Sequence, residues 1–256
     1  MRYPNGLFGW ADLMTRDPGR AIEFYEGLFG WTHVDQPTPM GPPYTQFFKD
    51  GQLVCGLSPM MPGVPEEVGA FWTSYVLVED ADATAAAAEA AGGTISMPPM
   101  DVMDQGRMAM LADPTGAAVG LWQPAAHQGA DVFNAPGSMT WNELQTRDIG
   151  VALPFYETVF GWEWDDGPNP GYYVANIAAK EGDDKSNAGA MTTPPGVPDE
   201  APNVWMVYFA VEDCDTSMAA AEGLGGEVFL PAMEMGPGKF GGLIDPTGGM
   251  FLLGSF

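Results

Sequence analysis

The stretch FGWADLMTRDPGRAIEFYEGLFGW, residues 8–31, returns as MTWNELQTRDIGVALPFYETVFGW at residues 139–162. Trp10 falls on Trp141, Arg16-Asp17 on Arg147-Asp148, Phe24-Tyr25 on Phe155-Tyr156, and Phe29-Gly30-Trp31 on Phe160-Gly161-Trp162. The correspondence continues beyond the opening. Pro62-Gly63-Val64-Pro65 recurs as Pro195-Gly196-Val197-Pro198, Val78-Glu79-Asp80 as Val211-Glu212-Asp213, and Asp113-Pro114-Thr115-Gly116 as Asp245-Pro246-Thr247-Gly248. This is a tandem duplication, and it sets the domain count before any local reading. The two domains are expected at about 5–125 and 135–256, joined by a short linker without apolar periodicity that contains His127.

Within each copy the same local plan appears twice. Phe8–Thr15 and Met139–Thr146 alternate as half-buried strands do. Asp17-Pro18 then supplies an N-cap and a first-turn proline. The helix that follows is apolar at Ala21, Phe24, Tyr25 and Leu28 and ends at Gly30. Short strands are expected at 32–35, 44–49 and 53–57. The second half repeats the plan: a strand at 72–78, an Asp80 cap, an alanine helix at 81–91 and a stop at Gly92-Gly93. Strands then flank an Asp-Pro-Thr-Gly sequence suited to a type I turn. The chain therefore reads as four βαβββ units, two per domain.

With 9 basic and 34 acidic residues the formal charge is −25, which disfavours nucleic acid and anionic membranes as partners. No apolar run approaches the roughly 20 residues of a membrane span, and the opening MRYPNGLFGW lacks the form of a signal peptide. A cytoplasmic location is expected, as a monomer or weak homodimer. Cys55 and Cys214 do not match between copies, so a repeated disulfide or thiolate site is not expected. No nucleophile–base pair, phosphate loop or dinucleotide motif is evident.

The repeated motifs Arg16-Asp17…Phe24-Tyr25…Phe29-Gly30-Trp31, Val78-Glu79-Asp80 and Asp113-Pro114-Thr115-Gly116 resemble the vicinal oxygen chelate superfamily of glyoxalase I, bleomycin-resistance proteins and extradiol dioxygenases. With the PGVP stretches, the chain is similar to a two-domain actinobacterial group labelled glyoxalase-like or hydroxylase, which includes a mycobacterial culture-filtrate antigen. The resemblance implies an α+β fold, with four βαβββ units paired into two glyoxalase-like domains with cup-shaped mixed sheets. Whether units pair within or between copies stays open.

Family enzymes hold a divalent metal on strand side chains of the cup. The matching positions here are Trp10, Thr73 and Gly120 in copy one and Trp141, Met206 and Leu252 in copy two. None is a usual metal ligand, so neither a metal nor another cofactor is expected. Asp12 and Glu143 share the face of Trp10 and Trp141, but no second ligand is evident beside them. The only histidines, His33 and His127, are expected at the solvated surface.

The cups should instead present Trp10, Asp12, Met14 and Tyr75 in copy one, and Trp141, Glu143, Gln145 and Tyr208 in copy two. Core packing is the plain alternative for the aromatic residues. A carboxylate beside a buried tryptophan, however, needs a partner or water. Arg107 and Lys239 align, either as charged protection of a strand edge or as cations at the cup rim. The 17 methionines fill cores or line adaptable pockets, and 37–43 and 60–65 read as loops over the cup mouths. These features point to binding or sequestration of a small organic ligand, aromatic or cationic, by stacking and charge. The alternatives are metal-free acid/base catalysis on a small carbonyl compound with Asp12 or Glu143 as base, and a metal-dependent lyase or oxidoreductase. No catalytic residue is assigned from sequence.

Overall fold

The computed structural model describes residues 2–39, 41–167, 169–235 and 238–256. Met40, inside the 37–43 stretch read as a loop, lies outside the described residues. Copy one contains β1 (Phe8–Thr15), α1 (Pro18–Phe29), β2 (Thr32–Gln36), β3 (Tyr44–Lys49), β4 (Gln52–Pro59), β5 (Phe71–Leu77), α2 (Ala81–Ala90), β6 (Thr94–Val102), β7 (Gly106–Ala112) and β8 (Ala118–Pro124). Copy two contains β9 (Met139–Thr146), α3 (Ile149–Phe160), β10 (Glu163–Asp166), β11 (Tyr172–Asn176), β12 (Ser186–Thr192), β13 (Val204–Ala210), α4 (Cys214–Gly223), β14 (Glu227–Met235), β15 (Gly238–Ile244) and β16 (Met250–Ser255). The βαβββ plan is present four times.

Local chemistry explains the boundaries. The Asp17 carboxylate accepts from the Arg20 amide at 3.1 Å and caps α1. Gly30 ends that helix in the left-handed region at φ 65°, and Gly161 does the same for α3. In the Asp113 turn, Oδ1 accepts from the Thr115 amide, the Thr115 hydroxyl and the Ala117 amide. Asp245 Oδ1 holds Thr247 and Gly249 identically.

Hydrogen bonding keeps each sheet within one copy, in the orders β2-β3-β4-β1-β5-β8-β7-β6 and β10-β11-β12-β9-β13-β16-β15-β14. The sheets are mixed: β1 pairs with β4, and β5 with β8, in parallel, while the outer strands are antiparallel.

Packing divides the chain differently, into two compact units that each take one half of each copy. One comprises Ala11–Thr73, Ala130–Thr140 and Val207–Phe256. Its core joins Leu13, Phe24, Tyr25, Phe47 and Leu57 to Phe209, Leu243, Phe251 and Leu253. The other comprises Met1–Trp10, Ser74–Gly129 and Trp141–Met206, with Val76, Leu111 and Leu121 packed on Leu144, Phe155, Tyr156 and Trp162. Each large apolar side chain so buried contributes about 1.5–3 kcal/mol.

The repeated motifs meet across copies inside these units. The Tyr25 hydroxyl donates to Asp245 Oδ2 at 2.7 Å and accepts from Trp72 Nε1 at 3.0 Å. Tyr156 donates to Asp113 Oδ2 at 2.9 Å and accepts from Trp205 Nε1 at 2.7 Å. Trp31 donates to the Gly137 carbonyl and Trp162 to the Gly6 carbonyl, each at 2.8 Å. Hydrogen-bonded sheets thus run within copies while cores and buried locks run between them.

Candidate functional site

In copy two, β9 alternates Leu144 into the core with Glu143 and the half-buried Trp141 and Gln145 on the opposite face. Glu143 is 3% exposed, so its carboxylate must be answered. Gln145 Nε2 donates to its Oε1 at 3.0 Å, and the Tyr172 hydroxyl of β11 is hydrogen-bonded to the same carboxylate. Trp141 Nε1 in turn donates to that hydroxyl at 2.9 Å. Burial, followed by the charge of Glu143, pushes the Tyr172 phenol well above its ordinary pKa. At neutral pH it is therefore a fixed proton donor to the carboxylate.

A glycine makes this arrangement possible. Gly189 of β12 lies opposite Glu143 in parallel register. A Cβ there would stand 2.0 Å from the Tyr172 hydroxyl and 2.8 Å from Trp141 Nε1. Copy one builds the same corner with a shorter acid. Asp12 (8% exposed) lies opposite Gly56 of β4 and accepts from the Tyr44 hydroxyl of β3 at 3.3 Å. A Cβ on Gly56 would stand 1.9 Å from that hydroxyl. Burial and then the Asp12 charge push the Cys55 thiol up, so it is an inert core group.

Tyr44 and Tyr172 were not legible as site residues, although each starts a strand and each faces a glycine in the matching next strand.

The positions that the resemblance assigns to metal ligands carry other groups. Trp10, Thr73, Met206 and Leu252 are buried. Tyr75 lies against Gly120, where a Cβ would come within 2.2 Å of its ring. In copy two Tyr208 pairs with Leu252 and meets the Phe240 ring edge-on at 6.0 Å. Among the described residues no three His, Cys, Asp or Glu side chains gather. Indole, hydroxyl, thioether and aliphatic groups do not make a first-row metal site.

Each of the two aligned cations is ion-paired with a helix. Arg107 clamps Asp82 of α2 through Nε at 2.6 Å and Asp101 of β6 through Nη1 at 2.8 Å. Lys239 is ion-paired with Asp215 of α4. The matched pair is a repeated strand-to-helix ion pair, and the carboxylates of the corners are met by tyrosine and glutamine. His33 is at the surface, bonded to Glu26 at 2.8 Å. His127 departs from its expected solvated place, being half-buried with its ring against Trp10 and Trp122. An open cleft of about 530 Å³ elsewhere is lined by Phe29, Lys49, Gln52, Gly137 and Glu212. Its one ammonium is already bonded to the Phe29 carbonyl at 3.0 Å.

The family description Glyoxalase/Bleomycin resistance protein/Dioxygenase superfamily matches residues 7–121. A Mycobacterium tuberculosis protein named "Putative glyoxylase CFP32" is 40% identical over 255 residues, covering 97% of this chain and 94% of the relative. The anthracycline biosynthesis protein DnrV of Streptomyces peucetius is 37% identical, covering 98% and 93%. Among solved structures, the Mn(II)-bound glyoxalase from Novosphingobium aromaticivorans aligns with a TM-score of 0.65 at 15% identity, covering 98% of this chain and 83% of that one. The 2,3-dioxygenase LapB from Pseudomonas sp. KL28 gives 0.65 at 14%, covering 98% and 93%. These last two share the fold. The chain belongs to the glyoxalase/bleomycin resistance/dioxygenase superfamily.

Proposed function

We propose that this protein binds a small planar aromatic or cationic molecule at the tryptophan–tyrosine–carboxylate corner of its second copy, without a metal, as a monomer or weak homodimer in the cytoplasm. The observation that carries the reading is Glu143, buried to 3% exposure beside the half-buried Trp141 and hydrogen-bonded by the neutral donors Gln145 and Tyr172. An indole face beside a buried carboxylate suits stacking and charge pairing with a planar cation. The relatives named for anthracycline biosynthesis support a fused-ring guest. No helix among the described residues is long and apolar enough to cross a membrane.

A second reading keeps the same residues and adds chemistry. Glu143 as base and the Tyr172 phenol as donor would serve proton transfer on a small carbonyl compound. The adjacency of a buried carboxylate and a phenol favours it. The metal-dependent lyase or oxidoreductase reading stands behind both, because the family's ligand positions carry no ligand side chains.

Proflavine, a planar cation, separates these readings when it is titrated with a chelator present and the purified protein is assayed for elements. Binding unaffected by the chelator, with no stoichiometric metal, is expected. About one zinc, manganese or iron per domain, lost in Asp12→Asn or Glu143→Gln, would overturn the proposal. Exchange of a ketone's α-protons that is abolished by Glu143→Gln would move the reading to catalysis.

A further inference from the structure

His127 lies in the segment joining the copies, yet the chain fixes it in place. Its ring meets Trp10 edge-to-face, with centroids 4.4 Å apart at 82°, and meets Trp122 at 5.4 Å with the planes tilted by 60°. The backbone around it is tied at several points. The amides of Ala125 and His127 both donate to the Gln105 carbonyl at 3.0 Å, and the Ala126 amide donates to the Asp104 carbonyl at 3.2 Å. Trp122 Nε1 donates to the His127 carbonyl at 2.9 Å. Gln128 Nε2 binds the Ala125 carbonyl at 2.6 Å, and the Gln128 side-chain oxygen accepts from the Arg2 amide at 3.0 Å. Gly129 then runs at φ 99°, so close to β1 that a Cβ would stand 2.6 Å from the Gly9 carbonyl oxygen. Both the conformation and the clearance require glycine there.

Trp10 is 3% exposed. Its counterpart Trp141 is only half-buried, with its indole N–H turned to Tyr172. One tryptophan is met by an imidazole from the same chain, and the equivalent tryptophan is left half-buried. Edge-to-face contact with an indole is a favoured geometry for a planar aromatic ring, so the place His127 takes beside Trp10 suits a planar nitrogen heterocycle.

We propose that the His127 imidazole is a built-in occupant of the first copy's tryptophan slot. That slot takes a planar nitrogen heterocycle only when the linker vacates it. Resting on the binding function proposed above, the chain then presents one open ligand site, in the second copy.

The test uses full-length His127→Gly with two probes. Imidazole should bind the variant with a Kd on the order of millimolar and raise its melting temperature, while wild type and His127→Phe, which keeps a ring in the slot, show neither effect. Proflavine should bind wild type and His127→Phe at one per chain and His127→Gly at two. A folded His127→Gly that binds no imidazole would overturn the proposal, as would equal imidazole binding by wild type. Imidazole binding by His127→Gly together with no proflavine binding by wild type would leave the occupied slot standing and remove the proposed function of the second copy.

Discussion

Glu143 and Tyr172 are mutually dependent. The phenol gives the buried carboxylate a donor, and Gly189 gives the phenol room. Tyr172→Phe should cost about 1–3 kcal/mol of stability, since a buried acid loses a hydrogen bond. Gly189→Ala should destabilise by about 1–3 kcal/mol through overpacking against the hydroxyl. Combined with Tyr172→Phe its penalty should shrink only in part, because the hydroxyl oxygen is gone while Tyr172 Cζ at 2.5 Å and Trp141 Nε1 at 2.8 Å still crowd the added methyl. Chemical denaturation of the two single variants and the double variant checks this, and strict additivity would argue against the contact. Of this corner, Trp141 and Glu143 were legible because strand alternation places them on one face. Tyr172 was not, for a physical reason. It reaches Glu143 from two strands away, and the loops before it differ in length between copies. Tyr44 therefore corresponds to a residue 128 positions on (172 − 44), whereas Trp10 corresponds to one 131 on (141 − 10). The alignment of Arg107 with Lys239 was legible, but their partners on the helices, Asp82 and Asp215, were not, because they lie far from them in sequence.

The helices and turns are joined by the buried tyrosines. Tyr25 on α1 binds the turn before β16, and Tyr156 on α3 binds the turn before β8. Asp245 uses one oxygen for its own turn and the other for Tyr25, so the lock also fixes the turn. Tyr25→Phe and Asp245→Asn should each cost about 1.5–3 kcal/mol, with a coupling of about 0.5–3 kcal/mol in the double variant. A coupling near zero would mean the bond contributes nothing. Titration gives a second check. Burial, and then the neighbouring carboxylate, raises the hydroxyl pKa of Tyr25, Tyr156 and Tyr172. In each case the folded pKa exceeds the unfolded value near 10. The stabilisation is complete below pH about 10 and is lost as pH climbs toward the folded values. Stability should fall by about 1.4 kcal/mol per pH unit for each such tyrosine, and phenolate absorbance from the three should appear only on unfolding. Their ionisation in the native protein near pH 10 would contradict the buried locks. The elements themselves were legible: Asp17, Gly30 and the Asp-Pro-Thr-Gly turns bound them as the sequence indicates. Which copy's turn receives which tyrosine was not, because the two copies offer the same local signals to either partner.

Taken whole, the chain is duplicated in sequence but interleaved in packing. Each core draws on both copies, so neither copy holds a complete core alone. Residues 1–130 and 131–256 expressed separately should lack cooperative unfolding and regain it on mixing. Two independently stable halves would contradict the interleaved cores. The superfamily fold is present, the positions that the resemblance assigns to metal ligands carry Trp10, Thr73 and Gly120 and Trp141, Met206 and Leu252, and a buried carboxylate stands two residues along the first strand of each copy, at Asp12 and Glu143. That buried carboxylate is the centre of the functional reading. It is tested most directly by measuring proflavine affinity and melting temperature together on Glu143→Gln. A recognition role gives a roughly 10- to 150-fold loss of affinity, corresponding to the 1.5–3 kcal/mol of a charged contact, with the melting temperature nearly unchanged. A lower melting temperature with unaltered affinity per folded molecule would contradict it and return Glu143 to the core.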